Sequence, residues 1–339
     1  MLDSSYLNDQ TIETVTLFLS SYSMSLTIII ALILDLILGE AKRYHYLVGF
    51  GWLSQQCESR LNPDHMNDES TQFTLNSAIL GGLSWGLLVC PIPLIYLYYV
   101  NDLMWYWQVI FDATILYLAI GLTSLKQHAM QVYHPLKSGD LTTARHFTGY
   151  LVSRETQSLT SDDMARATTE SMLENGHDSV IASLFYYVVG GAPLVILHRL
   201  ANTLDAMWGY KTSRYNAFGY ASARLDDLLG FVSGKVCTLL YAVQGNFLTS
   251  MKNAYRQGNV YKSHNGGWVM AAGATVLNRT LGGSANYHGK KVTSITLGSG
   301  SPVTLKDIPS SLVIIKRAAF ILLLLTVTWE TVPQLIALY

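Results

Sequence analysis

Acidic and amide side chains gather at three points of this sequence, and each group adjoins an apolar stretch. The groups are Glu174, Asn175 and Asp178, then Asn202 and Asp205, then Asp226 and Asp227. Ionisable groups at a membrane boundary are costly unless they are paired, so their presence there indicates a site. Carboxylate and amide oxygens suit a hard cation such as Mg²⁺ better than zinc. We therefore expect a divalent-cation site, with Arg–Asp pairing that only stabilises the fold as the alternative.

Basic side chains accompany these groups. Arg199 lies within one helical turn of the second group, and Arg224 stands two residues before the third. Further along, Lys290 and Lys291 stand among glycines, where charge and free backbone N–H groups can contact phosphate. This run does not fulfil the P-loop pattern, because Ser284 and Lys291 occupy positions that require Gly and Ser or Thr. A Walker-type nucleotidase is therefore not indicated.

The composition is that of a membrane protein. Charged residues make up 13% of the 339, whereas ~25% is typical of soluble domains, and 50% of the residues are hydrophobic. A net charge of −1 excludes a dedicated nucleic-acid binder, and the apolar content excludes intrinsic disorder. The three cysteines are scattered and form no CxxC motif, so neither a disulfide framework nor a zinc site is predicted.

Apolar segments long enough to cross ~30 Å of hydrocarbon need about 20 residues. Four segments meet this length, at residues 20–38, 75–100, 103–125 and 318–337. Two further segments, 180–200 and 228–248, are apolar but interrupted by glycine, proline or lysine, and we expect them to be either spans or re-entrant helices. The sequence thus predicts one all-α, polytopic integral membrane domain over residues 1–339, with polar cytoplasmic loops.

The basic residues predict how the chain is oriented. The first apolar stretch is preceded by no Lys or Arg and followed by Lys42 and Arg43, which places the start of the chain outside. No small-residue cleavage pattern follows it, so we expect an anchor rather than a cleaved signal peptide. Residues 249–317 hold nine basic side chains and one acid, and we expect them on the cytoplasmic side of a bacterial inner membrane. The side on which the polar stretch between the two interrupted segments lies stays open.

An ordered series of motifs resembles a known family. The runs ESMLENGHDSVIASLFYYVVGGAP, RLANTLDAMWGYK, FGYASARLDD, NGGWVMAA and LGGSANYHG follow one another in this chain. They resemble the integral-membrane CobD/CbiB family, the adenosylcobinamide-phosphate synthases of cobalamin biosynthesis. The likeness covers nearly the whole chain, and the pairing of NTLDAMWGYK with ARLDD is its most specific part.

The resemblance implies an ATP-dependent, amide-forming ligase. Such an enzyme joins adenosylcobyric acid to aminopropanol, or to its phosphate, to give adenosylcobinamide or its phosphate. A carboxylate does not react with an amine at neutral pH, so it must first be activated, and the expected form is an acyl phosphate made from ATP with Mg²⁺. The implied partners are the corrinoid, the amine, the lipid membrane and other membrane enzymes of late cobalamin biosynthesis.

The resemblance also assigns candidate roles to residues. The candidate Mg²⁺ ligands are Glu174, Asp178, Asp205, Asp226 and Asp227. One acid would take the proton of the attacking ammonium, and the catalytic candidates are Glu174, Asp178, Asp205 and Asp227. Phosphates of ATP or of the amine substrate would meet Arg199, Lys211, Arg214, Arg224 and Lys290. Asn175 and Asn202 would orient ligands, and the corrin face would pack on Trp268, Trp208 and Tyr210.

The chain departs from the family pattern at one of these motifs. Val269 and Met270 stand where the family carries Pro and Glu. The lost acid leaves two interpretations open, a ligase with altered activity and a non-catalytic membrane sensor or scaffold like the AmpE-like proteins. The retained NTLD and ARLDD clusters favour the enzyme, and Met270 favours the alternative. A transporter would predict inverted repeats, which the sequence does not show.

Overall fold

The chain folds as a mostly helical membrane protein, 77% of it helix, which confirms the predicted fold class. The computed structural model describes residues 14–39, 46–64, 73–100, 102–152, 155–287 and 290–336, without the side chains of residues 284–292. The first helices are α1 (Thr14–Ser20), α2 (Ser23–Leu38), α3 (Tyr46–Leu61), α4 (Leu75–Val89), α5 (Pro91–Val100), α6 (Trp105–Ala119), α7 (Leu122–Ser138) and α8 (Leu141–Thr148). The remainder are α9 (Ser161–Gly176), α10 (Ala182–Trp208), α11 (Tyr220–Ala242), α12 (Phe247–Asn253), α13 (His264–Val276) and α14 (Asp307–Ile336). One-turn π-helices at His177–Ile181 and Ala254–Gly258 follow α9 and α12.

Four helical stretches are long and apolar enough to cross a membrane. They are Leu75–Val100, Trp105–Ser138, Ser161–Trp208 and Asp307–Ile336. A fifth would be α1 with α2, which are bent by 72° at a short break. Among the predicted segments, 75–100 is divided between α4 and α5, and the segment predicted at 318–337 begins eleven residues earlier, at Asp307.

Helix α10 consists of two helical halves that form a hairpin, because the chain reverses direction at Gly190 and Gly191. The backbone leaves the helical region at both residues, with φ −157° and ψ 27° at Gly190 and φ 65° and ψ −164° at Gly191, where a positive φ favours glycine. Nε2 of His198, beyond the reversal, lies 3.1 Å from the backbone oxygen of Asp178 before it. A straight helix would separate these two residues by about 30 Å. The interrupted segment is therefore a helical hairpin rather than a single straight helix.

A carboxylate on α6 holds the hairpin near its reversal. Asp112 accepts hydrogen bonds from the hydroxyl groups of Tyr96 on α5 (2.5 Å) and Tyr187 on α10 (3.1 Å). A Cβ on Gly191 would lie 3.9 Å from Oδ2 of Asp112, so the carboxylate also contacts the turn itself. Because a carboxylate in an apolar helix layer is costly without donors, these two hydroxyls tie α5, α6 and the hairpin together.

Two other buried carboxylates join helices by capping them. Glu330 of α14 accepts hydrogen bonds from the backbone N–H groups of Met24 (2.8 Å) and Ser25 (3.1 Å) at the start of α2. Asp35 of α2 accepts hydrogen bonds from the backbone N–H (2.9 Å) and hydroxyl (2.7 Å) of Thr123 at the start of α7. The first N–H groups of a helix have no partner within it, and the dipole favours an anion there. These two buried acids thus hold α14 against α2 and α2 against α7.

A small sheet follows α13. Strand β1 (Arg279–Tyr287) pairs antiparallel with β2 (Lys290–Gly298) and parallel with β3 (Ser301–Pro302). It is attached to α9, since Glu170 accepts a hydrogen bond of 2.7 Å from the backbone N–H of Gly282. An all-α fold with polar loops was predicted for this region, and the sheet differs from that prediction. The glycine-rich runs lack the alternation of apolar and polar residues that marks a strand.

We expect cysteines placed at Asn175 and at Ala206 to react with an impermeant maleimide from the same side of sealed vesicles. Both positions are exposed, and the hairpin brings the two ends of residues 175–206 back together. A straight helix would put them about 45 Å apart, on opposite sides of the membrane. The test uses a chain with Ser at the three native cysteines, and labelling from opposite sides would contradict the hairpin.

Candidate functional site

The hairpin brings three of the predicted acidic clusters to one place. Asp178 stands on the π-helical turn before α10, Asp205 lies on its returning half, and Asp226 lies on α11. Nδ2 of Asn202 lies 3.4 Å from Oδ1 of Asp226, a long hydrogen bond that joins α10 to α11. The carboxylates of Asp178, Asp205 and Asp227 are all close enough to Asp226 to act on it electrostatically. The structure therefore assembles four of the five predicted acids, from positions up to 49 residues apart in the sequence.

Asp226 is surrounded mainly by other carboxylates. Burial raises the pKa of the Asp226 carboxyl to about 8, and repulsion from Asp178 and Asp205 adds to the rise. The hydrogen bond from Asn202 lowers this pKa but does not cancel the other effects. A carboxyl that keeps its proton at neutral pH among other carboxylates lies in a site that a cation would stabilise.

The arrangement suits Mg²⁺ held together with a substrate better than a resident metal. Within the described ranges, no group of three or more His, Cys, Asp or Glu side chains is arranged to hold a metal ion by itself. Mg²⁺ usually keeps several waters and takes one or two carboxylates plus phosphate oxygens. The acidic cluster would suit that second mode, in which oxygen atoms from outside the chain complete the coordination.

A cavity of about 390 Å³ adjoins the cluster and contains cationic and aromatic side chains. Lys211, Arg224 and Asp227 line it. Nη1 of Arg224 lies 4.0 Å from Oδ2 of Asp227, and both side chains are 66% exposed. The aromatic lining consists of Phe73, Tyr210, Tyr215 and Tyr220. Cationic side chains can bind the phosphate group of a ligand, and neighbouring aromatic rings can pack against a ring system of the same ligand.

The turn between α10 and α11 shapes this cavity. A Cβ on Gly219 would lie 1.7 Å from the backbone oxygen of Trp208, so only glycine permits this approach of the two segments. Gly209 donates its backbone N–H to the backbone oxygen of Asp205 at 2.7 Å, which ends α10 beside the acid. The GYK and FGYA runs therefore place the cavity directly against Asp205.

Two histidines contact Asp178, and neither of them is among the residues predicted for the site. Nδ1 of His177 lies 2.7 Å from Oδ1 of Asp178, and Nε2 of the same ring lies 2.9 Å from Oγ of Ser233 on α11. His198 contacts the backbone oxygen of Asp178, as described above. His177 and His198 are each 1% exposed. The sequence places His177 directly before Asp178, and this adjacency could have indicated the contact. A lone histidine, however, is more often structural than functional.

Other predicted residues lie outside the acidic cluster. Glu174 lines a cavity of about 160 Å³ with Glu170, Lys262 and Met270. Met270, where the resemblance implies a Glu, is 1% exposed, so this chain buries a thioether in the cavity that Glu174 lines. Asn175 and Arg199 line a third cavity, described further below. The side chain of Lys290 lies outside the described residues.

Arg214, predicted as a phosphate ligand, forms an ion pair with a buried acid instead of lying in the acidic cluster. Its Nε and Nη2 lie 2.9 Å and 2.5 Å from the two carboxylate oxygens of Glu58 on α3. The Glu58 side chain is 1% exposed. Asn62 donates a further hydrogen bond of 2.8 Å to Glu58. Removal of Arg214 would leave a buried charge without this partner, so the ion pair stabilises the fold.

The three aromatic residues expected to face a corrin ring lie in different surroundings. Trp208 is 1% exposed and packs edge-on against Phe218, so it has no free face. The ammonium of Lys235 lies over one face of Trp268, 2.9 Å from the ring centroid. Tyr210 is 56% exposed and lines the cationic cavity. Tyr210 alone among the three presents an open ring beside the acidic cluster.

Residues 28–315 match the family model described as CobD/Cbib protein. The chain is 41% identical over 292 residues to the Cobalamin biosynthesis protein CobD of Stutzerimonas stutzeri (strain A1501) and to that of Chromobacterium violaceum, covering 86% of this chain and 92% of each relative. It is 35% identical over 300 residues to the protein of the same name from Halalkalibacterium halodurans, with the same coverage. No solved structure matches the chain.

Arg214→Met should lower the free energy of unfolding by about 3 kcal/mol, because it leaves the Glu58 charge buried and unpaired. This value is at the lower end for a buried pair, since the Arg214 side chain is 34% exposed. Thermal unfolding in detergent measures the effect, and the double variant with Glu58→Met should recover much of the loss. Unchanged stability of Arg214→Met would show that the pair is not structural.

Proposed function

The chain belongs to the CobD/CbiB family, and we propose that it is an ATP-dependent ligase of cobalamin biosynthesis that joins adenosylcobyric acid to aminopropanol or its phosphate. The matched relatives are named as cobalamin biosynthesis proteins, which supports a role in that pathway. The observation that carries the proposed reaction is the convergence of Asp178, Asp205 and Asp226 beside the cavity that contains Lys211 and Arg224.

The proposed reaction has two steps. A carboxylate oxygen of the corrinoid attacks the γ-phosphorus of ATP, so an acyl phosphate forms and ADP leaves. The amine then attacks the acyl carbon, inorganic phosphate leaves, and the ammonium proton passes to a base. Mg²⁺ bound with ATP would neutralise charge on the phosphate oxygens during the first step.

The residues of the site suit these steps. Lys211 and Arg224 supply positive charge for the phosphates, and charge placed where negative charge develops lowers the barrier. Asp205 lies against Gly209, which lines the cavity, and Asp227 lines the cavity itself, so both are candidates to accept the ammonium proton. Asn202 orients Asp226 by its amide. ATP is a cytoplasmic substrate, so the proposal places this cavity on the cytoplasmic face of the bacterial inner membrane.

A non-catalytic sensor or scaffold is the second candidate, and Met270 favours it. This buried thioether replaces an acid beside Glu170 and Glu174, and the change removes charge from that cavity. A sensor would keep the corrinoid or nucleotide cavity without turnover. Binding of adenosylcobyric acid with no product formed, in the assay below, would support this candidate over the ligase.

Purified protein should convert adenosylcobyric acid, aminopropanol phosphate and ATP with Mg²⁺ to the amide product. Asp205→Asn and Asp227→Asn should each lower kcat by about 100-fold or more, because each removes a charge that contacts the cation or accepts the proton. Asp162→Asn, at an exposed acid at the start of α9, is the matched control and should retain activity. Full activity in both site variants would refute the assigned site.

Addition of Mg²⁺ and a non-hydrolysable ATP analogue at neutral pH should release protons from the protein. The pKa of Asp226 lies above neutral pH, so its carboxyl is mostly protonated, and a bound cation lowers that pKa. Proton release, measured by pH-indicator dye in weak buffer, should fall in Asp226→Asn. Equal release from wild type and Asp226→Asn would show that no cation binds at this carboxylate.

A further inference from the structure

Arg199 stands at the junction of two cavities of opposite character. An apolar cavity of about 310 Å³ lies between α5, α6 and the returning half of α10, with Ile95, Ile115 and Ile196 in its lining. A polar cavity of about 330 Å³ lies on the other side, with a lining that includes Ser124, His128, Ser171, Asn175 and Ser179. The two share Leu118, Ala119 and Arg199 in their linings, so they adjoin each other at these residues. We call the two together the composite cavity.

The composite cavity crosses the level at which apolar helix surface gives way to polar surface. Its apolar part lies along α6, and its polar part lies along α7, which follows after the break at Ile120 and Gly121. Beyond this break, Lys126 is exposed. Ile95, on the outer wall of the apolar part, is 57% exposed on a helix that lies in a candidate span. The apolar part therefore adjoins an exposed apolar helix surface of a candidate span, and the polar part lies beyond the break that ends α6.

Arg199 keeps hydrogen-bonding capacity that the described chain does not use. Its Nε is buried and has no hydrogen-bond partner among the described residues. Within those residues it forms no ion pair, although Asp178 acts on it electrostatically and the hydroxyl of Tyr46 interacts with it. A buried N–H without an acceptor is unfavourable, and an anionic oxygen would satisfy it.

We propose that the composite cavity binds an anionic phospholipid, with its phosphate on Arg199 and one acyl chain in the apolar part. The guanidinium matches a phosphate in charge and geometry, and the lining that includes Ser124, Ser179 and His128 gives a polar headgroup a polar environment. A free phosphate would leave the apolar cavity unfilled, and a neutral hydrocarbon ligand would leave Arg199 unpaired. The inference does not depend on the proposed reaction, because the composite cavity shares no lining residue with the cavity that contains Lys211 and Arg224.

Native mass spectrometry of the full chain in detergent tests the proposal without any substrate. Wild type should bind dioleoyl phosphatidylglycerol about tenfold or more tightly than dioleoyl phosphatidylcholine, as expected for a charge-assisted contact. Arg199→Gln should reduce this preference to about one, and Ile95→Trp should weaken both lipids by filling the apolar part. Arg256→Gln changes an exposed arginine on another surface and should leave both affinities unchanged.

Three results would overturn the proposal. They are equal affinity of wild type for the two lipids, an unchanged preference in Arg199→Gln, and displacement of the lipid by glycerol phosphate as effectively as by phosphatidylglycerol. The last result would assign the site to a free anion. Size-exclusion profiles confirm that each variant is folded, and if Arg199→Gln does not fold, the wild-type preference and Ile95→Trp still decide the outcome.

Discussion

The reversal of the chain at Gly190 and Gly191 is the constraint on which the rest of the structure depends. Without it, residues 178 and 205 would stand at opposite ends of a helix about 40 Å long. With it, the acids before and after the hairpin meet each other and face α11. The contact of His198 with Asp178 and the hydroxyl contacts of Asp112 hold the reversed arrangement. The membrane part of the fold thus serves to position charged groups that a straight span would separate.

The same physical rule explains the acids elsewhere in the helical layers. Glu330 and Asp35 each meet the free N–H groups at the start of another helix, which offsets the cost of a carboxylate among apolar side chains. Asp226 differs from them, since its neighbours are mostly other carboxylates. Acids that join helices are satisfied by donors of the chain, whereas Asp226 receives one long hydrogen bond from Asn202 and is otherwise surrounded by carboxylates. That contrast is the physical reason to propose a ligand beside Asp226.

Much of this arrangement could be predicted from the sequence. Composition and apolar segment length indicated a helical membrane protein, and glycines inside an apolar run indicated the re-entrant alternative at 180–200. The pairing of Asn202 and Asp205 with Asp226 and Asp227 followed from their common setting beside apolar sequence. Long-range partners could not be predicted, because nothing near Arg214 shows that Glu58, 156 residues earlier, neutralises it. The sheet after α13 was missed for a similar reason, since its strands are defined by pairing rather than by their own pattern.

The account is tested most directly by an experimental structure of the full chain with a non-hydrolysable ATP analogue and Mn²⁺, located by its anomalous scattering. It predicts a manganese peak within bonding distance of Asp205, Asp226 or Asp227, with the phosphates directed toward Lys211 and Arg224. A nucleotide bound elsewhere, with these carboxylates paired only to side chains of the protein, would contradict the central claim.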